Sequence, residues 1–211
     1  MVTEVPVEIH PWQPFLPKRT RLLMLGSFPP ARQRWCMDFF YPNYINDMWR
    51  IFGLCLYGDA LHFVDTGKKA FRLDEIKAML HERGVGLYDT ARVVRRTKNT
   101  ASDKDLDVVE PVDLVGLLGE IPYCEAVVTT GQKATDLFTA QLGIPQPKVG
   151  DFVEFAFTPR IDGGSTRSLR LYRMPSSSRA YPMRLDRKAA FYQPLFDNYL
   201  SNISPTSENA E

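Results

Sequence analysis

The apolar residues of this chain form short continuous runs that alternate with segments of helical spacing. The continuous, β-rich runs predict buried strands at residues 22–25, 85–88, 126–130, 152–157 and 169–173. Apolar positions three or four residues apart predict helices at residues 45–56, 73–81, 112–118, 132–142 and 186–200. Asn43 is the candidate N-cap of the first helix. Strands that alternate with helices predict an α/β fold with a mostly parallel sheet covered on both sides.

The 211 residues suit one domain with a full core. We expect this domain to span residues 1–203, beginning with a Pro-rich, irregular arm at residues 1–20. The polar tail at residues 204–211 is expected to be disordered. No apolar stretch is long enough to span a bilayer, and no signal peptide is apparent near the N-terminus. These features predict a cytoplasmic protein with no membrane partner.

The cysteines and charges exclude several classes of protein. Cys36, Cys55 and Cys124 are too few and too scattered for a disulfide framework. The chain contains no CxxC pair, so a zinc or iron–sulfur site is not expected. A net charge of +1 excludes a uniformly basic nucleic-acid binder. Arginines are nevertheless concentrated near residues 92–96 and 167–187, with acids at 103–110 and in the tail. Either a basic face or an ordinary solvated surface fits this distribution.

Two loops that follow predicted strands carry the clearest functional signal. The first, residues 26–30, reads Gly-Ser-Phe-Pro-Pro, and the second, residues 175–178, reads Pro-Ser-Ser-Ser. Ligands of open α/β sheets bind at the carboxyl ends of the strands, where glycine allows close backbone approach. Serine hydroxyls and backbone N–H groups can hold phosphate. The two loops together therefore predict a site that binds one extended polyanion at two points.

The usual nucleotide and hydrolase motifs are missing. The chain has no GxGxxG, no P-loop and no GxSxG elbow, which disfavours dinucleotide, P-loop and α/β-hydrolase sites. Five other segments, in this order, resemble the uracil-DNA glycosylase superfamily, and most closely its hypoxanthine-DNA glycosylases. They are Leu-Gly-Ser-Phe-Pro (25–29), Tyr-Pro-Asn-Tyr-Ile-Asn-Asp-Met-Trp (41–49), Gly-Leu-Tyr-Asp (86–89), Thr-Gly-Gln-Lys-Ala (130–134) and Met-Pro-Ser-Ser-Ser (174–178).

The resemblance covers most of the chain and implies both a fold and an activity. The implied fold is a three-layer α/β/α sandwich around a mostly parallel, four-stranded sheet. The implied activity is that of a monomeric, monofunctional DNA glycosylase in base excision repair, which needs no metal or cofactor. Such an enzyme hydrolyses the N-glycosidic bond of a deaminated base, hypoxanthine or uracil, after the base has been flipped out of DNA.

The resemblance also implies roles for individual residues. Asn46 is the first catalytic candidate, because an amide can hold a water and a base edge together, and Ser27 is the second. The first loop has no acidic residue, in agreement with the hypoxanthine subgroup. The expected base contacts are Gly26, Phe28, Tyr41, Asp89 and Thr130, with Phe28 as an apolar wall. The expected DNA contacts are Pro175, Ser176, Ser177, Ser178, Arg179 and Lys133.

Several of these residues have alternative interpretations. Asn46 is equally typical of a solvent-facing helix position, and Asp89 of a turn or cap. Asp47 is a competing acid/base candidate, although an aspartate in a first helical turn also favours the helix dipole. Arg179 or Tyr181 is expected to fill the space of the flipped base.

The chain departs from the family pattern at two positions and leaves two other functions open. Tyr41 stands where the subgroup often has histidine, and Thr130 where an amide is common. One alternative function is a nucleic-acid-binding protein of the same fold without chemistry. The other is a hydrolase of a small nucleotide or phosphate ester that uses the same strand ends.

Overall fold

A computed structural model describes residues 6–97, 105–160 and 164–201 of the chain, so the tail expected to be disordered lies outside the described residues. The strands are β1 (Val7–Ile9), β2 (Leu22–Gly26), β3 (Val64–Asp65), β4 (Ala70–Phe71), β5 (Val85–Asp89), β6 (Ala91–Arg96), β7 (Leu106–Pro111), β8 (Ala126–Thr130), β9 (Phe152–Phe157) and β10 (Arg167–Met174). The α-helices are α1 (Met48–Tyr57), α2 (Leu73–Arg83), α3 (Leu114–Gly119), α4 (Gln132–Leu142) and α5 (Leu185–Leu200).

The central sheet contains five strands in the order β5-β2-β8-β10-β9. The first four are parallel, and β9 is antiparallel to β10. The expected number of four strands is therefore wrong, although the α/β fold is confirmed. The link between β9 and β10 is too short to hold a crossover helix, so these two strands pair as a hairpin at the sheet edge.

Three of the four parallel strands are buried along their whole length. Every residue of β2, β5 and β8 is buried, as expected for parallel strands that are covered on both faces. Helix α1 packs on α5, where the rings of Phe52 and Phe196 stack at 4.6 Å. Among the described residues, no helix combines the length and apolar character needed to cross a membrane.

The first helix begins later than its apolar spacing predicts. It starts at Met48, and the Oδ1 atom of Asn46 accepts a hydrogen bond from the Met48 backbone N–H at 2.8 Å. The Asn43 side chain instead accepts from the backbone N–H of Ile45 at 3.2 Å. The prediction of Asn43 as N-cap is therefore wrong, because residues 43–47 form a turn that leads into the helix.

A second sheet places part of the N-terminal segment beside the central sheet. Strand β1 pairs antiparallel with β6, and β6 pairs with β7. The segment expected to be an irregular arm thus contains one strand, and Phe15 makes a further bridge to Leu87 of β5. This pairing carries the residues that follow β1 to the carboxyl end of β5.

Candidate active site

A cavity of about 680 Å³ opens at the carboxyl ends of the parallel strands. Its volume lies within the range of about 300–1,000 Å³ that is usual for small-molecule sites. Of the residues that the sequence predicts for the site, it brings together Gly26, Ser27, Phe28, Tyr41, Asn46, Asp89, Thr130, Lys133, Ser176, Ser177 and Ser178. Pro175 and Arg179 do not line this cavity. Both strand-end loops therefore face one space.

The first loop is held in shape by side chains from outside it. The guanidinium of Arg96 donates to the Pro29 carbonyl at 3.0 Å and forms two bonds to the Glu8 carboxylate, at 2.9 and 3.1 Å. The indole N–H of Trp35 donates to the Pro30 carbonyl at 2.6 Å. Because both proline carbonyls are bonded, the loop presents a fixed wall to the cavity.

Gly26 and Asp89 touch at the floor of the cavity. A Cβ atom at Gly26 would overlap the Oδ1 atom of Asp89, so only glycine fits beside this carboxylate. The Oδ2 atom of Asp89 pairs with Nε2 of His10 at 2.9 Å, and both side chains are buried. Among the described residues, Oδ1 has no hydrogen-bond partner. Asp89 thus lines the cavity as a buried carboxylate and is not a solvated turn residue.

The sequence interpretation missed His10, because the three histidines do not cluster along the chain. A signal does exist, since apolar Val7 and Ile9 alternate with Glu8 and His10, as in a strand with two faces. The structure turns the polar face inward, where Glu8 bonds Arg96 and His10 bonds Asp89. Val7 and Ile9 are exposed instead.

Aromatic rings surround His10 and separate it from solvent. The imidazole contacts the rings of Phe28, Phe40 and Tyr88, with centroid distances of 5.5, 6.1 and 4.8 Å. Phe28 also packs against a small apolar cluster formed by residues of β6 and β7. The partly buried Phe28 ring is therefore fixed on one side and lines the cavity on the other.

The two positions that depart from the family pattern contact each other. The Tyr41 hydroxyl lies 3.3 Å from Oγ1 of Thr130, which in turn donates to the Leu25 carbonyl at 3.3 Å. Tyr41 adopts a left-handed backbone conformation, with φ of 50°, which is unusual for a bulky residue. Burial raises the pKa of Tyr41 well above its usual value, so this hydroxyl stays protonated.

Asn46 lies at the cavity wall just before α1. One lone pair of its Oδ1 atom is used by the Met48 N–H, which leaves a second lone pair and the two amide hydrogens. Arg50 is buried and donates to the carbonyls of Tyr44 and Asn46 at 2.8 and 2.9 Å. The backbone that carries Asn46 is therefore firmly held, and its amide keeps capacity for a ligand or a water.

Asp47 faces away from the cavity. Its buried carboxylate accepts from the Nζ of Lys188 at 2.9 Å and from the Nε of Arg179 at 2.6 Å. Both oxygens are engaged, so this geometry favours a positioning role over acid/base chemistry. Lys188, which lies at the end of the second basic stretch, is fully buried.

The charged groups of Asp47 and Lys188 also hold the second strand-end loop, residues 175–178, which we call the serine loop. The Asp47 backbone N–H donates to the Ser177 carbonyl at 2.9 Å, and Lys188 Nζ donates to the Ser178 carbonyl at 2.7 Å. The hydroxyl oxygen of Ser176 accepts from the Ser178 N–H at 3.2 Å. Hydroxyl groups that accept such bonds still carry a proton to donate.

The arginine-rich stretches are largely matched by acids. Arg92 pairs with Glu110 at 3.1 Å across β6 and β7, and Arg170 pairs with Glu154 at 2.9 Å across β10 and β9. Lys133 is partly buried and donates to the Leu106 carbonyl at 2.8 Å. Among the described residues, no group of three His, Cys, Asp or Glu side chains is placed to hold a metal ion.

Comparison with known proteins shows a likeness in structure alone. No family model matches the chain, and no curated protein matches it. The chain is similar to the solution NMR structure of a candidate uracil DNA glycosylase from Methanosarcina acetivorans. The TM-score is 0.55 and the identity 21%, over 90% of this chain and 99% of the other. The two chains therefore share a fold.

Proposed function

We propose that this protein is a monomeric DNA glycosylase that removes a deaminated base, hypoxanthine or uracil, from DNA without a cofactor. One observation carries the proposal: a single cavity is lined by both strand-end loops and by Asn46. The shared fold with a candidate uracil DNA glycosylase supports it. A flipped base would enter between the first loop and Tyr41, with Phe28 as an apolar wall.

The reaction is the addition of water to C1′ of the sugar, with departure of the base. The water oxygen forms the new bond to C1′, the C1′–N bond breaks, and one water proton leaves toward the base. Because C1′ becomes strongly electron-poor in this step, a positioned water can suffice where no carboxylate base is present. In this proposal the amide of Asn46 orients that water, with Ser27 beside it.

DNA would be held at the serine loop. Ser176, Ser177 and Ser178 line the cavity, and their hydroxyls can donate to phosphate oxygens. The ion pairs of Asp47 fix this loop against α1 and α5. Phosphate contacts release counterions, so binding should weaken as salt is raised.

The test is strand cleavage by alkali after incubation with labelled duplexes, each with one hypoxanthine, uracil, xanthine or mismatched thymine. We expect Asn46→Ala to lower excision at least about tenfold and to reduce stability by about 1 kcal/mol, because it removes both the amide and the bond to Met48. Asn46→Ser keeps an oxygen that can cap the helix, so it should lose activity with little change in stability. Asn198→Ala, at an exposed position of α5, is the matched control.

Three other results of these assays would lead to different conclusions. Unchanged excision by Asn46→Ala would contradict the role of Asn46. If folded wild-type protein binds DNA but excises no lesion, the protein is a binding protein of this fold. If it releases bases from free nucleosides or nucleotides and ignores DNA, it is a small-substrate hydrolase.

A further inference from the structure

Asp89 is the buried carboxylate on the cavity floor. It ends β5 and is only 7% exposed. Its Oδ2 atom is occupied by His10, while Oδ1 lies against Gly26. Oδ1 has no hydrogen-bond partner among the described residues, and Asp89 lines the cavity. One acceptor atom of fixed position is therefore presented to a ligand.

His10 can hold this carboxylate whether the imidazole ring is protonated or neutral. The Nδ1 atom lies 2.9 Å from the Trp12 carbonyl and 3.2 Å from the Trp12 backbone N–H. A protonated ring donates from Nδ1 to the carbonyl, and a neutral ring accepts there from the N–H. In either state Nε2 carries a hydrogen and donates to Oδ2 of Asp89. The direction of Oδ1 is thus set by the N-terminal segment.

We propose that Asp89 selects the base through Oδ1, which accepts a hydrogen bond from a ring N–H, and that His10 is its positioning residue. This inference rests on the proposed glycosylase function and deepens it. A carboxylate accepts hydrogen bonds and cannot donate them. It therefore favours a base whose Watson–Crick edge carries a ring N–H and repels a ring nitrogen with a lone pair.

Deamination of adenine or cytosine places an N–H on the pairing edge. Adenine N1 and cytosine N3 are bare ring nitrogens, whereas the corresponding atoms of hypoxanthine and uracil carry a hydrogen. A buried acceptor that is left unpaired is unfavourable, so a site of this kind rejects analogues that lack the donor. Asp89 would therefore distinguish hypoxanthine from adenine and uracil from cytosine, and the substrate class is a base in its lactam form. Guanine and thymine carry the same N–H, so this contact does not distinguish them.

The experiment compares three bases in otherwise identical duplexes under single-turnover conditions. Hypoxanthine carries N1–H, while purine and 1-methylhypoxanthine both lack it; purine is smaller than hypoxanthine and the methylated base larger. Rates are measured for wild type, Asp89→Ala and Asp89→Asn. The ratio of wild-type to variant rate is taken for each base separately, so that differences in leaving-group chemistry cancel.

We expect both variants to slow hypoxanthine excision by about 10- to 100-fold more than they slow excision of the other two bases. Asp89→Asn keeps an oxygen for His10, so it remains informative if Asp89→Ala is unstable; its amide then turns its nitrogen toward the cavity. Asp136→Asn is the control, because Asp136 is an exposed acid at the cavity rim. It should slow all three bases equally or not at all.

His10 is tested with two further variants. His10→Phe keeps a ring for the aromatic contacts but has no N–H, so it should lose the preference for hypoxanthine. His10→Gln retains an N–H donor and should recover part of that preference. A purely structural role would change stability in both variants and leave the preference intact.

The outcomes separate this inference from the proposed function. If wild-type protein excises no base from DNA, the proposed function fails. If it excises hypoxanthine, but the Asp89 variants slow all three bases equally or none of them, the function stands and base selection by Asp89 is refuted.

Discussion

Replacing Lys188 by methionine removes one partner of a fully buried ion pair and keeps most of the apolar stem. The Nζ atom of Lys188 donates to Asp47 at 2.9 Å and to the Ser178 carbonyl at 2.7 Å, and the side chain is 0% exposed. These bonds join the start of α1 and the serine loop to α5. The variant therefore tests whether this charge network supports the site.

The expected loss of stability follows from these contacts. Hydrogen bonds to charged groups contribute about 1.5–3 kcal/mol each, and removal of one partner of a buried pair costs about 3–5 kcal/mol. Arg179 stays beside Asp47, but its side chain is 54% exposed and compensates only in part. We expect a loss of about 3 kcal/mol, which corresponds to a fall in Tm of about 6–12 °C for a domain of this size.

The measurement is urea unfolding followed by tryptophan fluorescence, because Trp49 is fully buried and reports on α1. Arg187→Met is the matched control: it makes the same charge change at the adjacent, exposed position of α5 and should stay within about 0.5 kcal/mol of wild type. The double variant Asp47→Leu with Lys188→Met should recover part of the loss, since no buried charge is then left unpaired.

A loss below about 1 kcal/mol for Lys188→Met, equal to that of the control, would refute this reasoning. It would mean that Asp47 is satisfied by Arg179 and water alone. DNA affinity serves as a second readout. If the network positions the serine loop, Lys188→Met should weaken DNA binding more than Arg187→Met does under conditions in which both variants are folded.

Two more predictions concern Gly26 and the thiols of Cys124, which is buried, and Cys55, which is partly buried. Gly26→Ala should lose about 1–3 kcal/mol of stability and at least about tenfold in excision, because its Cβ overlaps Asp89. Gly119→Ala, where a Cβ meets no atom within 4 Å, should be neutral or slightly stabilising in the same thermal unfolding and excision assays. Burial raises the pKa of Cys124 and Cys55 to about 12, so both stay protonated at pH 8. They should react slowly with a thiol reagent in native protein and rapidly in urea; equal rates would contradict the burial.

Local patterns determined much of this fold. The apolar runs place β2, β5 and β8 almost to the residue, because a strand that is buried on both faces needs an unbroken run. The same argument places Gly26 and Asp89 at one sheet edge, since the carboxyl ends of parallel strands meet there. The motif order pointed to Asn46, which does lie at the cavity.

Tertiary structure decided the pairings that complete the site. Periodicity cannot indicate that His10 bonds Asp89, 79 positions away, or that Lys188 bonds Asp47, 141 positions away. It also cannot reveal that Tyr41 and Thr130 contact each other. Element formation depends on neighbours along the chain, which the sequence shows directly. The partner of a buried polar group depends on how separate elements pack, and only the folded chain brings those groups within hydrogen-bond distance.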